Sequence, residues 1–200
     1  EFAAYSAIIA PDQKVFDFVL PRLDASTDVS AAQNSWADLI SDPSAHFDYE
    51  IEIDACEIAP QISWGTTPEE SFSLDETVPT DATQKALEYM GIAAGQPLAG
   101  LKIDGAFIGS CTNGRLSDLK AAADILRGRC VPKHVRAVCV PGSKTVRREA
   151  EELGIDQVFK DAGFEWGEPG GAMCFYAGGE TFSPGARIVS STNRNFEGRQ

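Results

Sequence analysis

From residue 102 onward the apolar positions switch repeatedly between the strand period and the helix period. An apolar run over 102–108, ended by Gly109, predicts a strand, while Leu116, Leu119, Ala123 and Leu126 recur at helical spacing and predict an amphipathic helix over 116–126. A second buried strand is predicted over 135–140. Ser143 can cap a helix that runs to Gly154, residues 155–162 read as a further turn or two, and Arg187-Ile188-Val189-Ser190 supplies another strand. Strand and helix in alternation predict an α/β fold, a mainly parallel sheet covered by helices, with functional loops at the carboxyl ends of the strands. Cys111, Gly142 and Asn193 each follow a predicted strand end.

Before residue 95 the pattern is weaker. Clusters at Ala25-Ser26-Thr27-Asp28 and Ser41-Asp42-Pro43-Ser44 interrupt short apolar runs. Tyr49-Glu50-Ile51-Glu52-Ile53-Asp54-Ala55 alternates as a half-buried strand does, and residues 82–90 predict a short helix stopped by Gly91. Gly95-Gln96-Pro97 is the expected boundary, which gives a first domain over 1–95 and a second over 96–200.

Composition narrows the function classes. Seventeen Lys and Arg stand against 30 Asp and Glu, a net charge of -13, which repels nucleic acid and anionic membrane surfaces. No apolar run approaches the roughly 20 residues of a bilayer span. The five cysteines, at 56, 111, 130, 139 and 174, are scattered and odd in number, which fits a reducing, cytoplasmic setting better than a disulfide scaffold. Both ends of the chain fall inside patterned sequence, so a part of a longer subunit is expected.

Candidate chemistry concentrates in three segments. Ile108-Gly109-Ser110-Cys111-Thr112-Asn113-Gly114-Arg115 presents a thiol where a strand passes into a helix, a place that favours the thiolate as nucleophile or metal ligand. The plain alternative is an inert thiol packed beneath the helix. Glu168-Pro169-Gly170-Gly171-Ala172-Met173-Cys174 sets a second cysteine in a Gly-rich loop, and Ser191-Thr192-Asn193-Arg194-Asn195-Phe196-Glu197-Gly198-Arg199-Gln200 carries two guanidinium groups suited to bidentate capture of carboxylates. Cys56, Cys130 and Cys139 read as structural, His46 and His134 as surface residues without metal partners, and Trp64-Gly65 as packing at a tight turn. Gly142-Ser143-Lys144-Thr145 imitates the end of a phosphate-binding loop but lacks its spacing, and a helix cap explains it better.

Together these segments resemble the aconitase family of iron–sulfur hydro-lyases. Further matches run in the same order along the chain: Ile9-Ala10-Pro11-Asp12, Glu57-Ile58-Ala59-Pro60-Gln61-Ile62-Ser63-Trp64-Gly65 and Val140-Pro141-Gly142-Ser143. The ending Asn-Arg-Asn-Phe-Glu-Gly-Arg-Gln and Gly163-Phe164-Glu165-Trp166 are similar to the branch that interconverts 2-isopropylmalate and 3-isopropylmalate in leucine biosynthesis. The resemblance implies a three-layer α/β/α fold, a [4Fe–4S] cluster held by Cys111 and Cys174, substrate binding by Asn193, Arg194 and Arg199, and a catalytic acid at Glu1. It also implies a separate small subunit as partner and a small dicarboxylate or hydroxy-acid substrate. Relatives acting on homocitrate, citraconate or dimethylmalate share the pattern.

One position departs from the family. Its members hold the cluster with one cysteine of the Ser-Cys-Thr-Asn turn and two of a Cys-x-x-Cys loop, and here that loop reads Gly171-Ala172-Met173-Cys174. The resemblance then implies a labile or incomplete cluster, or a cluster-free relative that binds a dicarboxylate or a partner without catalysis.

Overall fold

The computed structural model describes residues 5–174, 182–192 and 197, and the chain divides into two units, Glu1–Ala55 and Cys56–Gln200. In the first unit, helices α1 (Gln13–Val19) and α2 (Val29–Ala37) each start at an aspartate. The Asp12 carboxylate accepts from Val15 N at 2.9 Å and that of Asp28 from Ala31 N at 3.0 Å. Each bond satisfies a donor that a helix start leaves unpaired. The cluster ending in Asp28, expected to interrupt structure, is therefore the start signal of a helix.

The predicted strand at 49–55 is corrected. Tyr49, Ile51 and Ile53 are 82%, 73% and 69% exposed, and no described strand pairs with them. Period-two spacing supplies an apolar face, but a strand also needs a neighbour whose N–H and C=O groups complete its own.

The second unit opens with an antiparallel pair missed in the sequence, β1 (Gln61–Ser63) and β2 (Ser71–Ser73), with Ile62 opposite Phe72. Trp64, Phe72, Val78 and Ala86 form a core beneath α3 (Gln84–Met90), and Trp64 meets Phe72 edge to face. Thr83 caps α3, and Gly91 ends it at φ 61°, a left-handed turn that glycine takes without a Cβ clash. Around the expected boundary, Val78 N donates to Gln96 O at 2.9 Å and Gly95 N to Val78 O at 2.8 Å, so this turn is bonded back into the same unit.

Four parallel strands form the sheet, ordered β5 (Phe164–Trp166), β4 (Arg136–Val140), β3 (Gly105–Gly109) and β6 (Ile188–Ser190). The register places Phe107 beside Val138 and Ile108 beside Cys139, which sorts the side chains onto two faces. Ala106, Ile108, Ala137 and Cys139 face α5 (Leu116–Leu126), α6 (Lys144–Glu152) and α7 (Ile155–Asp161), whose Leu119, Ala123, Ala150, Ile155 and Phe159 are buried against them. Phe107, Val138 and Val140 point the other way, toward Met173, Ala172 and Phe182. Helix α5 has the predicted bounds, Ser143 caps α6 by accepting from Val146 N at 3.2 Å, and Gly154 ends that helix. No described helix is long and apolar enough to cross a membrane.

Candidate active site at the carboxyl edge of the sheet

Strand β3 ends in a sharp reversal. Gly109 has φ 114° and Ser110 φ 74°, and the chain then makes one helical turn, α4 (Ser110–Asn113), before α5 begins. A serine in the left-handed region costs free energy and persists only where its surroundings over-determine it. Ser110 is buried, whereas Cys111, the next residue, is exposed, with its Sγ 3.8 Å from Thr112 Oγ1. The thiol therefore faces outward at the strand end and is not packed beneath the helix. The helix it begins, as the sequence predicts, is the single turn α4, and the longer α5 starts only at Leu116. A one-turn helix gives little macrodipole to favour an anion.

Three glycines let the backbone fold this tightly. A Cβ on Gly109 would lie 2.0 Å from Val140 O, one on Gly114 2.5 Å from Ser110 O, and one on Gly142 3.0 Å from Gly114 O and 3.2 Å from Cys111 O. The loops after β3 and β4 thus interlock backbone to backbone, and Gly142 N donates to Gly114 O at 2.9 Å. With Ser143 occupied as the α6 cap, the Gly142–Thr145 segment is a packing and capping device.

The same turn is tied to the strand that leads into the arginine-bearing tail. Gly109 N donates to Ser191 Oγ at 3.0 Å, the Asn113 side-chain amide donates to Ser191 O, and Ser191 N donates to Phe107 O at 3.0 Å. Beyond it, Thr192 N donates to Ser190 Oγ at 3.1 Å. Farther along, the Glu197 carboxylate meets Lys85 Nζ of α3 at 2.7 Å, and this contact raises the pKa of the ammonium.

The Gly171 loop is held at both ends. At its entry, Glu168 pairs with Arg147 of α6 at 2.5 Å; Arg147 also bonds Glu151, and the two carboxylates raise its pKa. The Arg147 guanidinium and then the Trp166 N–H in turn hold Glu151 below the usual carboxylate range. At its exit, the 3-10 turn Ala172–Cys174 packs beside α4 and buries Met173 against Phe107, Val138 and Val140. Gly170 at φ 159° and Ala172, in the left-handed region at φ 42°, flank Gly171. Cys111 and the backbone of Cys174 are thereby carried on adjoining elements.

Among the remaining sequence-predicted residues, Glu1, Asn193, Arg194 and Arg199 lie outside the described residues, as does the Cys174 side chain. Cys139 is buried within the helix-covered face, where desolvation pushes its thiol pKa far up, so it stays protonated and inert. Cys56 and Cys130 are exposed rather than core residues. The ties made by Asn113 and Ser191 were missed in the sequence; the polar cluster Ser190-Ser191-Thr192 directly after an apolar strand was the available signal.

These donors can be weighed against a three-thiolate cluster site. Cys111 and the turn ending in Cys174 supply two places on neighbouring elements, but Gly171, the residue at the third, has no side chain to coordinate. Among the described residues no three His, Cys, Asp or Glu side chains gather closely enough to hold a metal ion. With Gly171 at the third place, the described residues do not complete a three-cysteine site.

The structure defines a parallel α/β body whose exposed thiol, glycine turns and polar ties gather at one carboxyl edge, and the family follows from comparison. The model of the Aconitase family (aconitate hydratase) matches residues 1–200, and the chain belongs to that family. It is similar to the protein named 3-isopropylmalate dehydratase large subunit from Cupriavidus necator, with 48% identity over 212 residues covering 100% of this chain and 79% of that protein. It is also similar to 3-isopropylmalate dehydratase large subunit 1 from Bradyrhizobium diazoefficiens, with 50% identity over 212 residues, 100% of this chain and 44% of that protein. The chain thus spans less than half the length of the second relative.

Proposed function

We propose that this chain is large-subunit sequence of a 3-isopropylmalate dehydratase, a hydro-lyase that interconverts 2-isopropylmalate and 3-isopropylmalate in leucine biosynthesis. The observation that carries this reading is 48% and 50% identity, over the whole chain, to two proteins of that name. The exposed Cys111 at the end of β3, beside the Ala172–Cys174 turn, supports it from the structure.

The reaction removes water from adjacent carbons and returns it with the opposite regiochemistry, so a proton and a hydroxyl move while both carboxylates persist. Arg194 and Arg199 bind those carboxylates in bidentate fashion, and Asn193 donates a further hydrogen bond. Such local cations are needed because a net charge of -13 repels a dianion. Glu1 is the candidate proton carrier. If a [4Fe–4S] cluster is bound, Cys111 and Cys174 would be the thiolates this chain offers it, Gly171 would leave the third place to a donor from elsewhere, and the cluster would supply Lewis-acid chemistry. A separate small subunit completes the site, and the complex works in the cytoplasm.

The test uses the full-length chain with its small subunit, reconstituted anaerobically with iron and sulfide. Iron and acid-labile sulfide in cluster proportion, with interconversion of the two isopropylmalates, are expected; metal-loaded protein without turnover overturns the assignment. Gly171 favours a second reading, a cluster-free relative that binds a dicarboxylate without converting it. Under the leading reading Gly171→Cys raises the iron content; unchanged iron in that variant, with dicarboxylate binding retained, supports the second.

A further inference from the structure

In the segment Asp48-Tyr49-Glu50-Ile51-Glu52-Ile53-Asp54 acidic and apolar side chains alternate without a break. In an extended backbone that spacing puts Tyr49, Ile51 and Ile53 on one face and the four carboxylates on the other. Every residue from 37 to 61 is exposed, and no described strand pairs with this stretch. An apolar face with the spacing of a half-buried strand is thus left in water. The same holds across the first unit: none of its described residues, 5–55, is buried, and Phe18, Leu39, Ile40 and Phe47 are exposed as well. A unit of this size without a core does not hold a fold by itself, so the cover for this surface is permanent rather than transient.

We propose that residues 49–53 are a strand whose neighbour in a sheet comes from large-subunit sequence outside these 200 residues, with apolar side chains opposite Tyr49, Ile51 and Ile53 and lysine or arginine opposite Glu50 and Glu52. The source of that neighbour rests on the functional reading above, under which such sequence exists; this chain covers 44% of the relative from Bradyrhizobium diazoefficiens. A second copy of the segment is a poor partner. In any register that keeps the apolar faces together, self-pairing sets carboxylate against carboxylate, and like charges directly opposite destabilise a strand pair. Basic side chains in those places turn the same acids into favourable cross-strand pairs. A strand of the same polypeptide also meets the need for permanent cover, because its link to the segment keeps it at high effective concentration.

The experiment uses the full-length large subunit assembled with its small subunit. A photoreactive benzophenone side chain takes the place of the Tyr49 ring, and peptide mapping after irradiation identifies what it joins, with isotope-labelled subunits mixed in to tell one copy from another. Amide exchange of the 47–55 peptide is read by mass spectrometry in wild type, Ile51→Ser and Glu52→Lys, with protection of the 105–109 peptide of β3 as the mark of folded protein. The adduct is expected on a peptide of the same large subunit outside the 200 residues, and wild-type exchange over 49–53 is expected to be slowed about a hundredfold or more against the unstructured rate. Ile51→Ser is expected to speed that exchange about tenfold and Glu52→Lys about threefold. An adduct on the small subunit, on a second copy or within the 200 residues overturns the proposal, as does unprotected exchange over 49–53 in folded wild type. Exchange left unchanged or slowed in Glu52→Lys overturns the basic partner. Absence of isopropylmalate turnover overturns the functional reading alone, because adduct and exchange are read without substrate.

Discussion

The two faces of the four-stranded sheet are built to different ends. On one, Leu119, Ala123, Cys139, Ala150 and Phe159 are sealed by three helices, and Phe159 meets Phe164 edge to face at 5.3 Å. On the other, Phe107, Val138 and Val140 are met by Met173 and Ala172 of the turn beside the candidate site and by Phe182, which lies near the strand starts at Gly105 and Arg136. The first face is closed off by helices; the second also packs against the Ala172–Cys174 turn beside the candidate site. Two cysteines make the contrast chemical, because Cys139 is locked among hydrocarbon while Cys111, only just past the neighbouring strand end, is open to solvent.

The largest expected effect separates these thiols. Iodoacetamide in native buffer is expected to label Cys111, Cys56 and Cys130, with peptide mapping showing Cys139 protected by about a thousandfold or more, because its labelling requires global unfolding. Rapid native labelling of Cys139 would dissolve the comparison. Next in size, Phe159→Ala is expected to cost about 3–5 kcal/mol by denaturant titration, since the ring is fully buried between α7 and β5. Folded Phe159→Ala protein is expected to keep wild-type labelling at Cys111, as the helix-covered face is damaged and the loop edge is not.

Gly109→Ala attacks the other side of the comparison. Its Cβ would fall 2.0 Å from Val140 O at a φ of 114°, so a loss of about 2–3 kcal/mol is expected together with altered labelling of Cys111. The smallest effect concerns the solvent edge, where Arg136 binds Glu165 through two bonds of 2.8 Å. The Arg136 guanidinium holds the Glu165 carboxyl below the usual range, so the pair's contribution is present above the unfolded carboxylate pKa and fades as pH falls through the lowered folded value. Because both side chains are exposed, Glu165→Gln is expected to cost at most about 1 kcal/mol at neutral pH and progressively less as the medium is acidified, as measured by thermal melts at falling pH.

Much of this α/β body was legible in the sequence because each of its elements carries its own signal. Leu116, Leu119, Ala123 and Leu126 repeat at the helix period, and Ser143 and Gly154 mark the start and stop of α6. Strands β1, β2 and β5 were missed since three residues are too few to show a period, and their existence depends on partners distant in sequence. The segment 49–55 failed for the complementary reason, having a period but no partner. At the site, Cys111 was found from its place after an apolar run, while the ties of Ser191 to Gly109 and Asn113 depend on how two strand ends meet. The polar cluster Ser190-Ser191-Thr192 marks a place where ties can form, but not the partners they find.

Arg187, at the entry to β6, bonds the carbonyls of Met90 and Gly91 at 3.2 Å, and Lys85, near the start of the same helix α3, holds Glu197. The stretch between Arg187 and Glu197 thus begins and finishes on one seven-residue rod. A chain pinned at two nearby points has far fewer arrangements open to it than a free end. Part of the entropic cost of closing that loop is thereby met when the protein folds, before any ligand arrives.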